Sequence, residues 1–195
     1  MEKEFSAEQS LALIEGMINK AKNNYSDDSA LYIVWGWVVF ICSAGHFMLI
    51  KFTSIKRPEY IWMLMFLAVI FQIIFLAKRK KKENIKTYTD EILSYVWISF
   101  AVSICIISVF SGAGKGWIEM YPVLLMLYGT PIFLSGIILR FLPLKIGGIA
   151  CWCLAVIAQF TESIYLLLLV ALAMIAGWII PGYLLKIKFK KQNHG

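Results

Sequence analysis

Three residues of the types that bind soft metals stand in two apolar segments of the chain. His46 lies four residues before the end of an apolar run at 31–50, and Cys42 lies one helical turn below it. Cys105 stands at a comparable depth in another apolar run at 92–110. One imidazole and two thiolates would suit copper or zinc. The alternative is that His46 makes a hydrogen bond or reaches the membrane interface while both cysteines pack as small apolar residues. We adopt this alternative and predict no metal, no cofactor and no catalytic residues.

The segment SGAGKGW at 111–117 has the composition of a phosphate-binding loop. Such a loop also requires a preceding strand, a Ser or Thr directly after the lysine, and a helix that begins at the phosphate. Here Gly116 follows Lys115, and an apolar segment of helical length precedes the motif. We interpret the segment as a turn at the membrane interface, anchored by Trp117 and Tyr121.

The composition indicates that the chain lies in a membrane. Apolar residues make up 60% of the 195 residues and charged residues only 16%, a balance at which a soluble domain would not stay dissolved. Predominantly apolar runs occur at 31–50, 60–77, 92–110, 121–139, 146–160 and 164–185. Most approach the roughly 20 residues that an α-helix needs to cross the bilayer, and the fifth is short. The sequence therefore predicts an all-α integral membrane bundle of six transmembrane helices.

An amphipathic helix is predicted before the first span, at residues 6–23. Ser6 and Gln9 form a capping box, and apolar residues recur at helical spacing from Leu11 to Ala21. A helix of this kind lies along the membrane surface or docks on a partner. We divide the chain into a cytoplasmic amphipathic helix and entry segment at 1–29, a six-helix transmembrane domain at 30–186, and a basic cytoplasmic tail at 187–195.

Lysine and arginine residues are distributed unequally between the two sides of the predicted bundle. The N-terminal segment, the second and fourth loops and the tail carry fifteen of the 19, which leaves Lys51, Lys56, Arg57 and Lys115 for the other side. This asymmetry predicts that both termini are cytoplasmic. It also explains the net charge of +7. We therefore expect the basic stretch at 78–82 to lie on anionic lipid head groups, and we expect no nucleic-acid binding.

Small residues and prolines predict how the later helices pack and bend. Gly147, Cys151 and Ala155 are spaced by four and give the fifth helix a strip against which another backbone can approach closely. A second small patch, in the sixth helix, consists of Ala173 and Gly177. Pro131 and Pro181 predict kinks in the fourth and sixth helices, because each proline leaves the carbonyl four residues back without its donor.

Four segments carry a resemblance to known proteins: YSDDSALYIVWGW at 25–37, KTYTDEILSYVW at 86–97, LKIGGIACW at 144–152 and IIPGYLLK at 179–186. On these segments the whole chain resembles a group of uncharacterised, small six-span bacterial inner-membrane proteins. The resemblance implies a helical, multi-pass protein of the bacterial inner membrane. It implies no particular activity and no functional residues.

The spans lack the buried charges that mark most coupled transporters. No Asp, Glu, Lys or Arg lies at mid-depth in any of the six runs. We expect a non-enzymatic integral membrane protein that acts through contacts, with the lipid bilayer and a cytoplasmic or membrane protein as partners. One alternative is a small-solute or lipid carrier that uses the kinked fourth and sixth helices; another is an intramembrane enzyme or metal-dependent redox protein. A polar cavity between spans one, four and six would favour the carrier, and a solidly packed bundle would favour the contact protein.

Overall fold

The computed structural model of the chain describes the backbone of residues 7–82, 88–111, 116 and 120–192. Side chains are described for residues 29–78, 88–111, 116 and 120–188. Within these ranges the regular structure is helical and contains no strand, which confirms the all-α prediction.

The described residues form six main helices, which follow one another in chain order. They are α1 (Ala7–Phe52), α2 (Leu64–Lys82, after a 3-10 segment at Pro58–Met63), α3 (Tyr88–Phe110), α4 (Tyr121–Ile138), α5 (Leu142–Ala158) and α6. The last helix, α6, is α-helical over Leu166–Met174, π-helical over Ile175–Ile179 and α-helical again over Ile180–Gln192.

Five of these helices are long and apolar enough to cross a membrane. The candidate spans are Ser29–Phe52, Pro58–Lys78, Tyr88–Phe110, Tyr121–Ile138 and Leu166–Lys188. The sixth apolar helix, α5, has 17 residues, which at 1.5 Å per residue gives a length of about 26 Å. That is less than the roughly 30 Å of bilayer hydrocarbon, as the short fifth run in the sequence predicted. The helical bundle is thus one that spans a membrane.

The first helix is longer than the predicted first span. It continues without interruption from Ala7 to Phe52, so the backbone of the predicted N-terminal helix is the first half of α1 and not a separate element. The side chains of residues 1–28 lie outside the described residues, and the predicted apolar stripe stays a prediction. Both proposed domain boundaries, after residues 29 and 186, lie inside continuous helices.

The core of the bundle is formed by α1, α4, α5 and α6. The most extensive pairing is between α4 and α5, and α1 lies along α6. In contrast, α2 packs principally on α1, and α3 packs principally on α4. Only a narrow stripe of α2 is covered, made up of Met65, Ala68, Gln72 and Phe75. Apart from Lys78, the rest of its described surface is exposed and apolar.

A tight turn joins α4 to α5. The N–H of Phe141 donates to the carbonyl of Gly136 at 2.9 Å, and the N–H of Arg140 donates to that of Ile137 at 3.1 Å. This is the Schellman pattern, in which the residue after the helix cap takes a left-handed conformation. Arg140 takes that position with φ 49°. The turn sends α5 back along α4, so the two helices form a hairpin.

Candidate functional site

Cys42 and His46, the two candidate metal ligands in α1, make hydrogen bonds to the segment that precedes α2. Cys42 is buried, and its thiol donates to the carbonyl of Ile61 with an Sγ–O distance of 3.4 Å. His46 is half-buried, and its Nδ1 accepts a hydrogen bond from Nε1 of Trp62 at 3.0 Å. Both bonds join α1 to the 3-10 segment that precedes α2. The two side chains therefore act as anchors between neighbouring helices.

The third candidate, Cys105, is exposed on α3. Among the described residues, no three His, Cys, Asp or Glu side chains come close enough to hold a metal ion. The structure thus does not bring His46, Cys42 and Cys105 together. Nearer the start of the first span, Nε1 of Trp35 donates to Oε1 of Gln72 at 2.7 Å and joins α1 directly to α2.

Five aromatic side chains from four helices meet at the centre of the bundle. We call this group the central aromatic cluster: Tyr32 (α1), Trp97 and Phe100 (α3), Tyr128 (α4) and Trp178 (α6). Trp178 lies in the middle, with its ring centroid 5.4 to 6.4 Å from those of the other four. These distances are those of rings in contact. The space between α1, α4 and α6 is therefore filled with side chains at this level.

The cluster coincides with a distortion of α6. Trp178 belongs to the π-helical segment Ile175–Ile179, which ends two residues before Pro181. The N–H of Ile180 donates to the carbonyl of Ile175, five residues back. The missing N–H of Pro181 accounts for this local change of hydrogen bonding, which lies where the sequence predicted a kink. By contrast, α4 continues as an α-helix through Pro131, and no interruption of that helix accompanies its proline.

The predicted small-residue strip of α5 faces α6 over part of its length. A Cβ added to Gly147 would lie 2.8 Å from both the Ala176 carbonyl oxygen and the Gly177 Cα, and Cys151 is fully buried. A Cβ added to Gly177 would lie 2.8 Å from Sγ of Cys151. These contacts confirm the predicted close approach of another backbone at Gly147 and Cys151, and the structure shows that this backbone is α6. Ala155, the third predicted residue, is half-buried and lines a groove between α5 and α4.

A second pair of glycines sets the distance between α4 and α5. A Cβ added to Gly129 would lie 2.7 Å from the carbonyl oxygen of Gly148. One added to Gly148 would lie 2.6 Å from the Cβ of Phe133 and 2.9 Å from the carbonyl oxygen of Gly129. The two backbones thus touch at this level. Any residue larger than glycine at these two positions would prevent this contact.

Beyond this glycine contact, on the side away from the α4–α5 turn, the two helices leave an open groove. It has a volume of about 610 Å³. Its lining residues come from the first turns of α4 and the last turns of α5: Pro122, Val123, Met126, Thr130, Trp152, Ala155 and Val156. We call it the α4–α5 groove. No lining residue is charged.

Two sequence motifs lie partly outside the described residues. Of SGAGKGW, the structure describes Ser111 and Gly116; Lys115 and Trp117 are not described. Gly116 has φ 71°, a left-handed conformation that glycine adopts without strain. In the basic stretch at 78–82, the side chain of Lys78 is described and is exposed. The interpretations of both motifs stay predictions.

Sequence reasoning missed the central aromatic cluster and the groove. The cluster residues are far apart in the chain, and their only signal was that each is an aromatic residue within an apolar run. The groove depends on how α4 and α5 lie against each other, which no motif records.

Comparison with known proteins gave no matching family model, no matching curated protein and no matching solved structure. The resemblance to six-span bacterial proteins therefore stays a prediction.

Proposed function

We propose that the chain is a non-enzymatic membrane protein of the bacterial inner membrane that acts through contacts with protein or lipid. The observation that supports this proposal is the central aromatic cluster. It fills the region between α1, α4 and α6 in which a carrier of the kind considered above would need a polar path. Tyr32, Tyr128 and Trp178 are buried there with at most 8% of their surface exposed.

Opening this region for a solute would be energetically expensive. Trp178 makes four ring contacts, and each aromatic pair stabilises a core by about 0.5–1.5 kcal/mol beyond its buried area. Separating α6 from its neighbours would break all four together. If the chain were a carrier, binding of its substrate would have to offset at least the free energy lost with these four ring contacts.

The surfaces offered to partners are the outer faces of α2 and α3. Ile73 is 61% exposed on α2, and Val109 is 71% exposed on α3. Both helices are attached to the bundle along one side, so most of each surface is free for lipid or for another membrane protein. Between transmembrane helices, close packing and interhelical hydrogen bonds provide the attraction that apolar surface alone does not.

We further propose that both termini lie in the cytoplasm. The charge asymmetry of the loops supports this orientation. Arg140, in the α4–α5 turn, and the end of α6 lie at the same end of the bundle, since Nζ of Lys188 is 5.1 Å from the ring centroid of Phe141. A cysteine placed at Gln192 should therefore resist a membrane-impermeant thiol reagent in intact cells and react in inverted vesicles. Labelling in intact cells would contradict the orientation.

Photo-crosslinking in cells tests the contact function. A photoreactive amino acid is placed at Ile73 on α2 or Val109 on α3, with Leu172, which is 50% exposed on α6, as the matched control. We expect a discrete adduct, with one protein or one lipid class, in higher yield from α2 or α3 than from Leu172. Equal and unselective adducts from all three positions would refute a specific contact at these faces.

A further inference from the structure

We propose that three cationic side chains around the α4–α5 turn bind the head-group phosphate of an anionic phospholipid. They are Arg140 in the turn, Lys145 near the start of α5 and Lys188 towards the end of α6, and we call them the turn basic site. This inference deepens the proposed function and rests on it, because it names the class of lipid at one contact.

The turn basic site is assembled around the ring of Phe141. Nζ of Lys188 lies 5.1 Å from the centroid of this ring. Arg140 directly precedes Phe141, and Lys145 follows it by one helical turn of α5. Positive charges from two separate parts of the chain are therefore brought to the same corner of the bundle.

The backbone fixes the positions of the two cations in the hairpin. The Schellman turn holds Arg140, whose side chain is exposed, at φ 49°. A Cβ added to Gly136 would lie 2.6 Å from the backbone nitrogen of Lys145 and 2.9 Å from its Cγ, so the stem of Lys145 lies across the last turn of α4. Side chains on a helix lean towards its N-terminus, which for Lys145 is the direction of the turn. Arg140 and Lys145 thus approach the site from neighbouring positions.

The charges of the turn basic site are not neutralised within the described part of the protein. Among the described residues, no carboxylate pairs with any of the three cations. Glu91, in the first turn of α3 on the same proposed side of the membrane, accepts a hydrogen bond from Tyr95 at 3.4 Å. Like charges held near one another repel, so an anion bound among them relieves this repulsion as well as being attracted itself. The ligand that fits is therefore an anion.

The turn basic site lies at the membrane boundary. The span Tyr121–Ile138 ends just before Arg140, and the span Leu166–Lys188 ends at Lys188 itself. Basic side chains at the ends of transmembrane helices extend to the level of the lipid head groups. The phosphates of the surrounding lipids are thus at the depth of these cations.

Apolar side chains beside the site distinguish a phospholipid from other anions. Leu142, next to the turn, is 65% exposed, and Ile146, one turn further along α5, is 58% exposed. A phospholipid can place its phosphate at the cations and an acyl chain along these residues, whereas a free phosphate ion uses the cations alone. An acidic protein segment would first have to displace the head groups. Zwitterionic phosphatidylethanolamine brings an ammonium group that the cations repel, so the site favours a lipid with a net negative charge.

Native mass spectrometry of the full-length protein, released from detergent micelles, tests the proposal. The probes are phosphatidylglycerol and phosphatidylethanolamine with identical acyl chains, added back in equal amounts to delipidated protein. We expect the wild type to retain one phosphatidylglycerol in preference to phosphatidylethanolamine. Arg140→Gln should weaken this retention about fivefold, and Arg140→Gln combined with Lys188→Gln about 25-fold.

Lys186→Gln is the matched control for these variants. Lys186 is exposed on the same end of α6, and residues two apart on a helix point about 200° away from each other, so it lies on another face from Lys188. Its loss should change the retention less than twofold. Circular dichroism identifies the variants that are folded, and Arg140→Gln alone decides the test if the double variant does not fold, because Arg140 is exposed.

Four results would overturn the proposal. They are equal retention of the two lipids by the wild type, equal losses in Arg140→Gln and Lys186→Gln, displacement of the lipid by inorganic phosphate, and displacement by a short polyglutamate peptide. The second would indicate diffuse attraction to the whole basic surface, and the last two would indicate another anion. Crosslinking from α2 and α3 does not involve the turn basic site, so failure here leaves that test of the proposed function standing.

Discussion

The glycine contact between α4 and α5 gives a sharp prediction of stability. In Gly148→Ala the new Cβ would lie 2.6 Å from the Cβ of Phe133, 2.8 Å from its backbone nitrogen and 2.9 Å from the Gly129 carbonyl oxygen. Two of these atoms are backbone, so the helices themselves must separate. Overpacking of this kind costs about 1–3 kcal/mol. The better helix propensity of alanine returns up to about 1 kcal/mol. Taking the middle of the overpacking range, about 2 kcal/mol, and subtracting up to about 1 kcal/mol for propensity, we expect a net loss of roughly 1–2 kcal/mol.

Gly45→Ala is the matched control for this change. Gly45 is also inside a helix, but its added Cβ would meet Cδ1 of Ile61, the flexible end of a side chain. Here the propensity gain should outweigh the small rearrangement, and stability should be unchanged or higher. Thermal unfolding in mild detergent, followed by circular dichroism, measures both variants; the expected loss for Gly148→Ala corresponds to about 2–8 °C in Tm. Equal Tm values for the two variants would refute the close α4–α5 approach.

Three further predictions concern single side chains. Trp35→Phe removes the hydrogen bond to Gln72 and should lower the free energy of unfolding, measured in a detergent titration, by about 0.6–2 kcal/mol; no change would mean that this bond does not hold α2. His46→Gln should preserve folding and metal content, because an amide oxygen can accept from Trp62, whereas loss of stoichiometric copper or zinc in elemental analysis would contradict this. Arg140→Gly should raise the unfolding free energy by up to about 1 kcal/mol, since glycine adopts a left-handed φ without strain, and a lower Tm would contradict the turn geometry.

The sequence predicted the helices well because hydropathy and length determine which segments can cross a membrane. The predicted fourth run at 121–139 and the observed α4 at Tyr121–Ile138 differ by one residue. The small strip at Gly147 and Cys151 was predictable because only small side chains allow two backbones to touch. The distortion near Pro181 was predictable because proline lacks the donor. Its form, a π-helical segment, was not, since the freed carbonyls can be accommodated in several ways.

Which helix contacts which could not be read from the runs. Trp97 and Phe100 look like ordinary apolar residues of α3. In the structure they pack on Trp178, which lies much later in the chain, in α6. Such long-range contacts depend on the full arrangement of the bundle. In the same way, the hydrophobicity of α2 did not reveal that it is covered along one stripe only. Ala155 was assigned to the packing strip by its spacing, but it lines the groove between α4 and α5.

The buried thiols provide the most direct test of the claim that the centre of the bundle is closed. In a variant with Cys105→Ala and Cys153→Ala, the remaining cysteines are Cys42 and Cys151, both fully buried, the second beside the π-helical segment of α6. A small membrane-impermeant thiosulfonate is added to intact cells and to inverted vesicles, and modification is read by mass spectrometry. In the same background, Thr53→Cys, in the exposed segment just after α1, is the positive control for intact cells. Gln192→Cys, at the end of α6, is the positive control for inverted vesicles.

A closed, contact-forming bundle predicts that neither thiol reacts from either side, while each control cysteine is modified from its own side. Modification of Cys151 or Cys42 in the folded protein, at a rate approaching that of the control, would show that water reaches the centre and would contradict the proposed function in favour of a carrier.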